Sequence, residues 1–273
     1  MAAFTPKRGC LVVFEGIDRS GKSTQARLAY ERLTKEGHAA ELIRFPDRTT
    51  PIGQVLDRFL ANASWSSDGQ HPQVPPPQLT HLLFAANRWE AQARILRALG
   101  EGRTVLVDRY SFSGIAYTVG AAPSVAETEA TRLRREAEAS GDVEKTAEAV
   151  AASTAATGAP VDATFCRESE RGLLAPDAVF FLDVAPQETQ KRGGYGDEVY
   201  EKLATQERVY QVYRQFDNLP YWRRIAASSL SIEELHEKLF EQLKSVIEAT
   251  QPDQLLPLGS TGDGRRRLWS TSL

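Results

Sequence analysis

A three-layer α/β sandwich, with about five parallel strands and helices on both faces, is the fold this 273-residue chain predicts. Three observations predict it. A short apolar run at residues 10–14 leads into a glycine loop, and a helical pattern leaves that loop. Apolar, partly β-branched runs recur at residues 40–45, 104–107 and 178–184, with residues 221–227 as a last strand candidate. Helical periodicity fills most of the intervals between them, and strands that alternate with helices join into a parallel sheet.

The first strand candidate delivers Phe14-Glu15-Gly16-Ile17-Asp18-Arg19-Ser20-Gly21-Lys22-Ser23-Thr24-Gln25, which contains Gly-x-x-x-x-Gly-Lys-Ser. Backbone N–H groups of such a loop, with the positive end of the next helix, form a cradle for phosphate. Lys22 adds a point charge for the outer phosphates, and the Ser23 hydroxyl suits a magnesium ion. Ala26, Ala29 and Leu33 mark the helix, and Gly37 stops it. Pro46 closes the second strand, and Asp47-Arg48-Thr49-Thr50 follows its carboxyl end, where open α/β sheets bind ligands. Ile52, Val55, Leu56, Phe59 and Leu60 form an amphipathic helix, and residues 64–77 read as loop.

Residues 78–99 read as one long helix with Leu79, Leu82, Leu83, Ala86, Ala93 and Leu96 on its buried stripe. Phe84 and Arg88 stand four apart, so one ligand can touch both. The third strand ends in Asp108-Arg109-Tyr110, and residues 111–119 form a helix carrying Tyr117. Residues 120–160, rich in Ala, Glu, Thr and Arg, interrupt the pattern as an insertion that is mostly helical or disordered. After the fourth strand come a short helix at 186–192, a glycine-rich segment at 193–198 that suits a lid, and a helix at 199–217. Ser231-Ile232-Glu233-Glu234 is a capping box for the closing helix, whose core face is Ile232, Leu235, Leu239, Val246 and Ile247. The main domain is residues 1–250, with the insertion at 120–160, and residues 251–273 are a polar tail, its Arg265-Arg266-Arg267 run solvated.

Composition narrows the partners. The net charge of -3 gives no global basic field for nucleic acid or membrane. Two cysteines, Cys10 and Cys166, build no disulfide framework and point to a reducing compartment. No apolar run reaches the roughly 20 residues of a membrane span, and residues 1–9 are too short and polar for a signal peptide. The expected location is the cytoplasm, with a nuclear pool left open. His38, His71, His81 and His236 lack metal-ligand spacing.

A glycine loop of this kind serves GTPases, motor ATPases, transporters and kinases. The chain has no Asn-Lys-x-Asp motif for reading guanine. Arg19, Arg48, Arg88, Arg109 and Arg192 stand in the loop or at predicted element ends, as expected where two phosphorylated ligands meet. The lid segment would exclude water from phosphoryl transfer. These residues alone leave three readings open: a kinase of dTMP, dUMP, UMP or CMP, a deoxynucleoside kinase, and a nucleotide-binding protein without transferase activity.

The glycine loop, Phe45-Pro46-Asp47-Arg48, Leu83-Phe84-Ala85-Ala86-Asn87-Arg88-Trp89-Glu90, Asp108-Arg109-Tyr110 and the segment from Pro176-Asp177 to Leu182 together resemble the thymidylate kinase family, in its eukaryotic branch. The resemblance covers about residues 8–248 apart from the insertion. It implies a P-loop fold, a homodimer, and magnesium-dependent transfer of phosphate from ATP to dTMP to give dTDP. By the same resemblance Arg19, Lys22, Asp108 and Arg109 would be catalytic. Gly16, Asp18, Arg19, Ser20, Gly21, Lys22, Ser23, Thr24 and Arg192 would hold ATP, with Arg192 packed on adenine. Asp18 would accept the sugar 3′-hydroxyl, Arg48 and Arg109 would clamp the acceptor phosphate, and Phe84 would stack on thymine. Arg88 would bond a ring carbonyl, Ser113, Gly114 and Tyr117 would lie near the base, Tyr200 would crowd the 2′ position, and Gln206 would approach the nucleotide. Ser23, and Asp108 through water, would hold Mg2+. Asp47 departs from the family, where a glutamate is common.

Overall fold

The computed structural model describes residues 8–61, 76–121, 161–192, 203–250 and 267–269. Five strands, β1 (Leu11–Glu15), β2 (Ala40–Arg44), β3 (Thr104–Asp108), β4 (Ala178–Asp183) and β5 (Trp222–Ala226), form one parallel sheet in the order β2-β3-β1-β4-β5. The middle strand, β1, is flanked by β3 and β4, so the carboxyl ends of all three open onto one edge of the sheet. The helices are α1 (Lys22–Lys35), α2 (Pro51–Leu60), α3 (Pro77–Glu90), α4 (Gln92–Gly100), α5 (Ser111–Ala121), α6 (Ala163–Ser169), α7 (Pro186–Thr189), α8 (Leu203–Tyr213) and α9 (Ile232–Ala249), with a 3-10 turn at Arg214–Phe216. No described helix is long and apolar enough to cross a membrane.

Strand alternation sends side chains to opposite faces. Leu11 and Val13, with Val105, Val107, Val179 and Phe181, face a core closed by α4, α5 and α8. Val12 and Phe14, with Leu106, Phe180 and Leu182, face a second core under α1 and α9. Because both faces are covered, β1 and β3 are buried along their whole length, which is why they read as continuous apolar runs. Gly37 ends α1 as expected: at φ 83 it lets His38 N bond Leu33 O and Gly37 N bond Thr34 O. At α9 both halves of the capping box form, Glu234 N to Ser231 Oγ and Ser231 N to Glu234 Oε2. Such a cap contributes about 1 kcal/mol.

Five expectations need correction. The single helix over residues 78–99 is two, broken at Ala91. The cause is Gln92, whose side-chain Nε2 bonds Arg88 O at 3.2 Å, the carbonyl that its own backbone N–H would use in a continuous helix. The buried face of α3 is also different: Leu79 and Leu82 are exposed, and His81, Ala85, Asn87 and Arg88 point inward. The short helix expected at 186–192 ends at Thr189. Ile232, expected in the core, is 55% exposed. Part of the expected polar tail docks: Arg267 bridges Leu174, Leu268 is fully buried, and Trp269 lies edge-on to Phe112 with its Nε1 bonding Ser111 Oγ at 3.0 Å. Of the loop expected at 64–77, residues 64–75 lie outside the described residues and Pro77 starts α3; of the insertion expected at 120–160, residues 120 and 121 end α5 and the rest lies outside them, as do the lid at 193–198 and the remainder of the tail.

Candidate active site

The residues from Gly16 to Lys22 turn the chain from β1 into α1 with no slack. Gly21 is the N-cap of α1 at φ 100, a left-handed conformation that glycine adopts without strain. Gly16 sits where a Cβ would come within 2.6 Å of Ser20 Oγ and 3.0 Å of Leu182 O. No side chain caps α1, so its first N–H groups face the space above the loop. Arg19, also left-handed at φ 61, gives its carbonyl oxygen to Arg192 Nη1 at 2.5 Å. This contact, which the sequence did not predict, ties Arg192 to the backbone of the glycine loop.

Lys22 is 4% exposed and bends back onto the loop, donating to Ile17 O at 3.0 Å with Asp18 3.9 Å away. Burial, and then repulsion from Arg109, bring its ammonium down to about 8. Asp18 sits in a web: Arg109 Nη2 pairs with Oδ1, Gln206 Nε2 donates to Oδ2 at 2.8 Å, and Asp18 N donates to Gln206 Oε1 at 3.0 Å. Burial alone would raise its carboxyl, but Arg109 and Lys22 outweigh that and hold it below the usual range. Gln206 is fully buried, and Tyr117 OH reaches its Oε1 at 3.4 Å.

Arg109 follows β3 in a left-handed conformation, φ 70. That turn aims its guanidinium across β1, where Nη1 meets Gly16 O at 3.3 Å and Ser113 Oγ at 3.2 Å, 5.0 Å over the Tyr117 ring. The turn is fixed from beneath by Glu15, a residue the sequence did not single out. Its fully buried carboxylate accepts from Tyr110 N at 2.8 Å, Ser113 N at 3.0 Å, Ser113 Oγ at 2.5 Å and Tyr213 OH at 2.9 Å. Glu15 thus caps α5 from another strand. Burial pushes its carboxyl above the usual range against those donors. Beside this turn, Asp108 is 3% exposed; its Oδ2 lies 3.6 Å from Arg44 Nε, and its buried Oδ1 has no hydrogen-bond partner.

Asp18, Lys22, Arg109 and Tyr117 border one cavity of about 780 Å³, whereas Gly16, Asp108 and Gln206, expected in the site, and Glu15 are not among its lining residues. Asp18, Arg19, Ser20, Gly21, Lys22, Ser23 and Thr24 form its floor, with Arg109 and Arg192 beside them. One end holds Phe84, Arg88, Ser113, Gly114 and Tyr117, with Arg48 at the rim, where it pairs with Asp57 at 2.6 Å. The other end is lined by Leu230, Ile232 and Leu235, which the sequence placed in the core or passed over. Ile232 is exposed because it walls this end of the trough. Asp47, the residue that departs from the family pattern, turns its Oδ1 to Thr49 N at 3.0 Å and Thr49 Oγ1 at 2.6 Å, so it shapes the loop before Arg48. Cys10 and Cys166 lie buried outside the trough, their thiols pushed up by burial to about 12. Tyr200 lies outside the described residues, as does the glycine-rich lid segment.

Arg88, expected in the site, has a partner that the sequence did not single out. Its Nε donates to Glu170 Oε2 at 2.8 Å and its Nη2 pairs with Glu170 Oε1, both residues almost wholly buried. Burial raises the Glu170 carboxyl against the pull of Arg88. His81 lies behind, Nε2 3.4 Å from Glu170 Oε1 and Nδ1 2.8 Å from Thr118 Oγ1. Burial, and then Arg88, bring His81 down to about 4, so it is neutral at physiological pH. No group of three or more His, Cys, Asp or Glu side chains suited to a metal ion occurs among the described residues.

A parallel sheet, a glycine loop ending in Lys-Ser, and arginines spread along one trough define a P-loop protein of the nucleotide-kinase class. Comparison with known proteins narrows the class. The family model for thymidylate kinase matches residues 14–140. Thymidylate kinase of Homo sapiens is 36% identical over 235 residues, 85% of this chain and 89% of the human one. That of Plasmodium falciparum is 33% identical over 240 residues, 88% of this chain and 92% of its own. The solved structure of thymidylate kinase from Candida albicans superposes with a TM-score of 0.66 at 30% identity, covering 87% of this chain and 92% of that one. The chain belongs to the thymidylate kinase family.

Proposed function

We propose that this protein transfers the terminal phosphoryl group of ATP to dTMP, giving dTDP and ADP. The observation that carries the reading is the single trough, which runs from Phe84 and Arg88 across the glycine loop to Leu230 and Ile232. It offers a seat for a base at each end and fixed positive charge between them. ATP would lie with adenine against Leu230, Ile232 and the Arg192 guanidinium, its phosphates over the N-terminus of α1. The base of dTMP would stack on Phe84, with its phosphate toward Arg48 and Arg109.

Phosphoryl transfer asks the protein mainly for positioning and charge neutralisation. The attacking phosphate oxygen is already ionised near neutral pH, so no side chain need remove a proton. Lys22 would swing from Ile17 O to the phosphates, Arg19 would neutralise charge on the transferring group, and Asp18, held by Gln206 and Arg109, would accept from the sugar hydroxyl. The site also suits Mg2+: Ser23 presents an exposed hydroxyl and Asp108 an unpartnered buried oxygen, a donor set that magnesium completes with water and phosphate. When bound, the ion would shield the negative charge of the phosphates.

The protein should turn over dTMP with ATP and magnesium, reading products by chromatography over a panel of dTMP, dUMP, dCMP, UMP, CMP and thymidine. Turnover of thymidine but not dTMP would replace this reading with a nucleoside kinase, and nucleotide binding without any product would remove the enzyme reading. Lys22 adds a pH test. An ammonium near 8 in the free protein is charged below that pH and neutral above it. If the phosphates restore its ordinary affinity for the proton, ATP affinity falls by about tenfold from pH 7 to pH 9, with proton uptake on binding. Titration calorimetry in buffers of different ionisation enthalpy measures both, and a flat profile contradicts the placement of Lys22 on the phosphates.

A further inference from the structure

We infer that Glu170 is the positioning residue that sets which pyrimidine this site accepts, by pinning the Arg88 guanidinium as a rigid, donor-only surface beside the base. The inference rests on the dTMP reading above and adds to it a residue 82 positions away in the chain from the arginine it holds.

The pair is built for rigidity. Glu170 takes the Nε and Nη2 edge of the fork. Nη1 makes no hydrogen bond among the described residues, and Arg88 borders the trough, so Nη1 is the part left for a ligand. A bidentate pair fixes the guanidinium plane as well as its position. Both side chains are almost completely buried, Arg88 at 2% exposed and Glu170 at 0%, so water does not compete for either.

The surrounding structure protects the same geometry. A Cβ on Gly114 would run into Arg88 Nη2 and stand 2.7 Å from Glu170 Oε1, so α5 can pack here only with glycine at that position. Gln92 adds a second strut between the same two segments. Its Nε2 holds Arg88 O at 3.2 Å and its Oε1 accepts from Leu174 N at 3.0 Å, four residues beyond Glu170. The break at Ala91 is the local cost of that strut.

The chemical consequence follows from donor count. A guanidinium only donates. Thymine and uracil present a carbonyl oxygen at position 4, whereas cytosine presents an amino group there. Against a pinned guanidinium the amino group meets another donor, and neither can turn away. A guanidinium released from Glu170 could swing aside and admit a bridging water, so discrimination would weaken for both reasons. The 5-methyl group plays no part in this contact, so the choice between dTMP and dUMP is independent of Glu170.

Steady-state kinetics of the full chain with dTMP, dUMP and dCMP test this in Glu170→Gln and Glu170→Asp. In Glu170→Gln the KM for dTMP should rise by about tenfold and the dTMP-over-dCMP ratio of kcat/KM should fall by about tenfold. The KM for ATP and the dTMP-over-dUMP ratio should stay unchanged. Glu170→Asp keeps the buried charge balanced but cannot reach both nitrogens, so it should fold and show an intermediate form of the same pattern; it carries the test if Glu170→Gln does not fold. A merely structural role would lower the amount of active enzyme, and with it kcat for every acceptor, while leaving KM and both ratios in place. That result in the folded variants overturns the inference. Failure of the unaltered protein to phosphorylate dTMP would instead remove the reading on which it rests.

Discussion

Replacing Lys22 by methionine should lower kcat by roughly a thousandfold or more while changing dTMP affinity only a few-fold. The asymmetry comes from where Lys22 stands. It sits at the start of α1, on the floor of the trough where the donor phosphates would lie, away from the end that holds Phe84 and Arg88. Its interaction would strengthen as charge develops on the transferring group, so its loss falls on the transition state more than on either bound substrate. Methionine keeps most of the volume of the stem, so packing around a residue only 4% exposed is largely retained. Single-turnover rates with saturating ATP and dTMP measure the effect, with dTMP binding followed separately by calorimetry. Near-normal turnover would remove Lys22 from the chemistry.

The second large effect is expected at Arg109. Arg109→Met should raise the KM for dTMP by about a hundredfold, the equivalent of losing a charge-assisted, two-pronged contact to a phosphate. It should also destabilise the fold by about 1–3 kcal/mol, because Asp18, with a side chain 14% exposed, would lose its nearest cation while keeping Gln206 and the more distant Lys22. Arg109→Lys should rescue little of either. A lysine cannot reach Asp18, Gly16 O and Ser113 Oγ from one position as the fork does. Chemical denaturation and dTMP kinetics on the two variants check this. A lysine variant with normal KM would mean that Arg109 supplies only charge.

The legible part of this protein is the part written locally. The glycine loop compresses strand end, anion cradle, lysine and the serine proposed for magnesium into a dozen consecutive residues, so spacing alone fixes their relation in space. Asp108 and Arg109 were legible because they end a strand of unbroken apolar character, and a parallel sheet places such ends at the ligand edge. What was not legible depends on partners far apart in the chain. Glu170 lies in a turn after a seven-residue helix with no periodicity to flag it, and only the folded chain sets it against Arg88. Glu15 reads as one more residue of a buried strand until Tyr110 and the first turn of α5 bring two N–H groups to its carboxylate.

Periodicity also misled in an instructive way. It counts apolar residues and cannot tell a core face from the wall of a cavity, so Ile232 read as core although it lines the trough. On α3 the apolar stripe of Leu79 and Leu82 faces outward, because the inward face carries polar groups that find partners on other segments: His81 on Thr118, Asn87 on Thr50 and Arg88 on Glu170. The tail reads as polar by composition, yet its described residues, Arg267 to Trp269, dock by one bridge and one aromatic cluster.

In the proposed complex one trough holds both nucleotides end to end, phosphates facing. Adenosine and thymidine joined 5′ to 5′ through five phosphates would span it in a single molecule. This compound should compete with both ATP and dTMP and bind at least about a hundredfold more tightly than either, because the second half binds without a second loss of translational freedom. Competition with only one substrate, at an affinity no better than that substrate's own, would mean that the two ends of the trough do not serve one reaction.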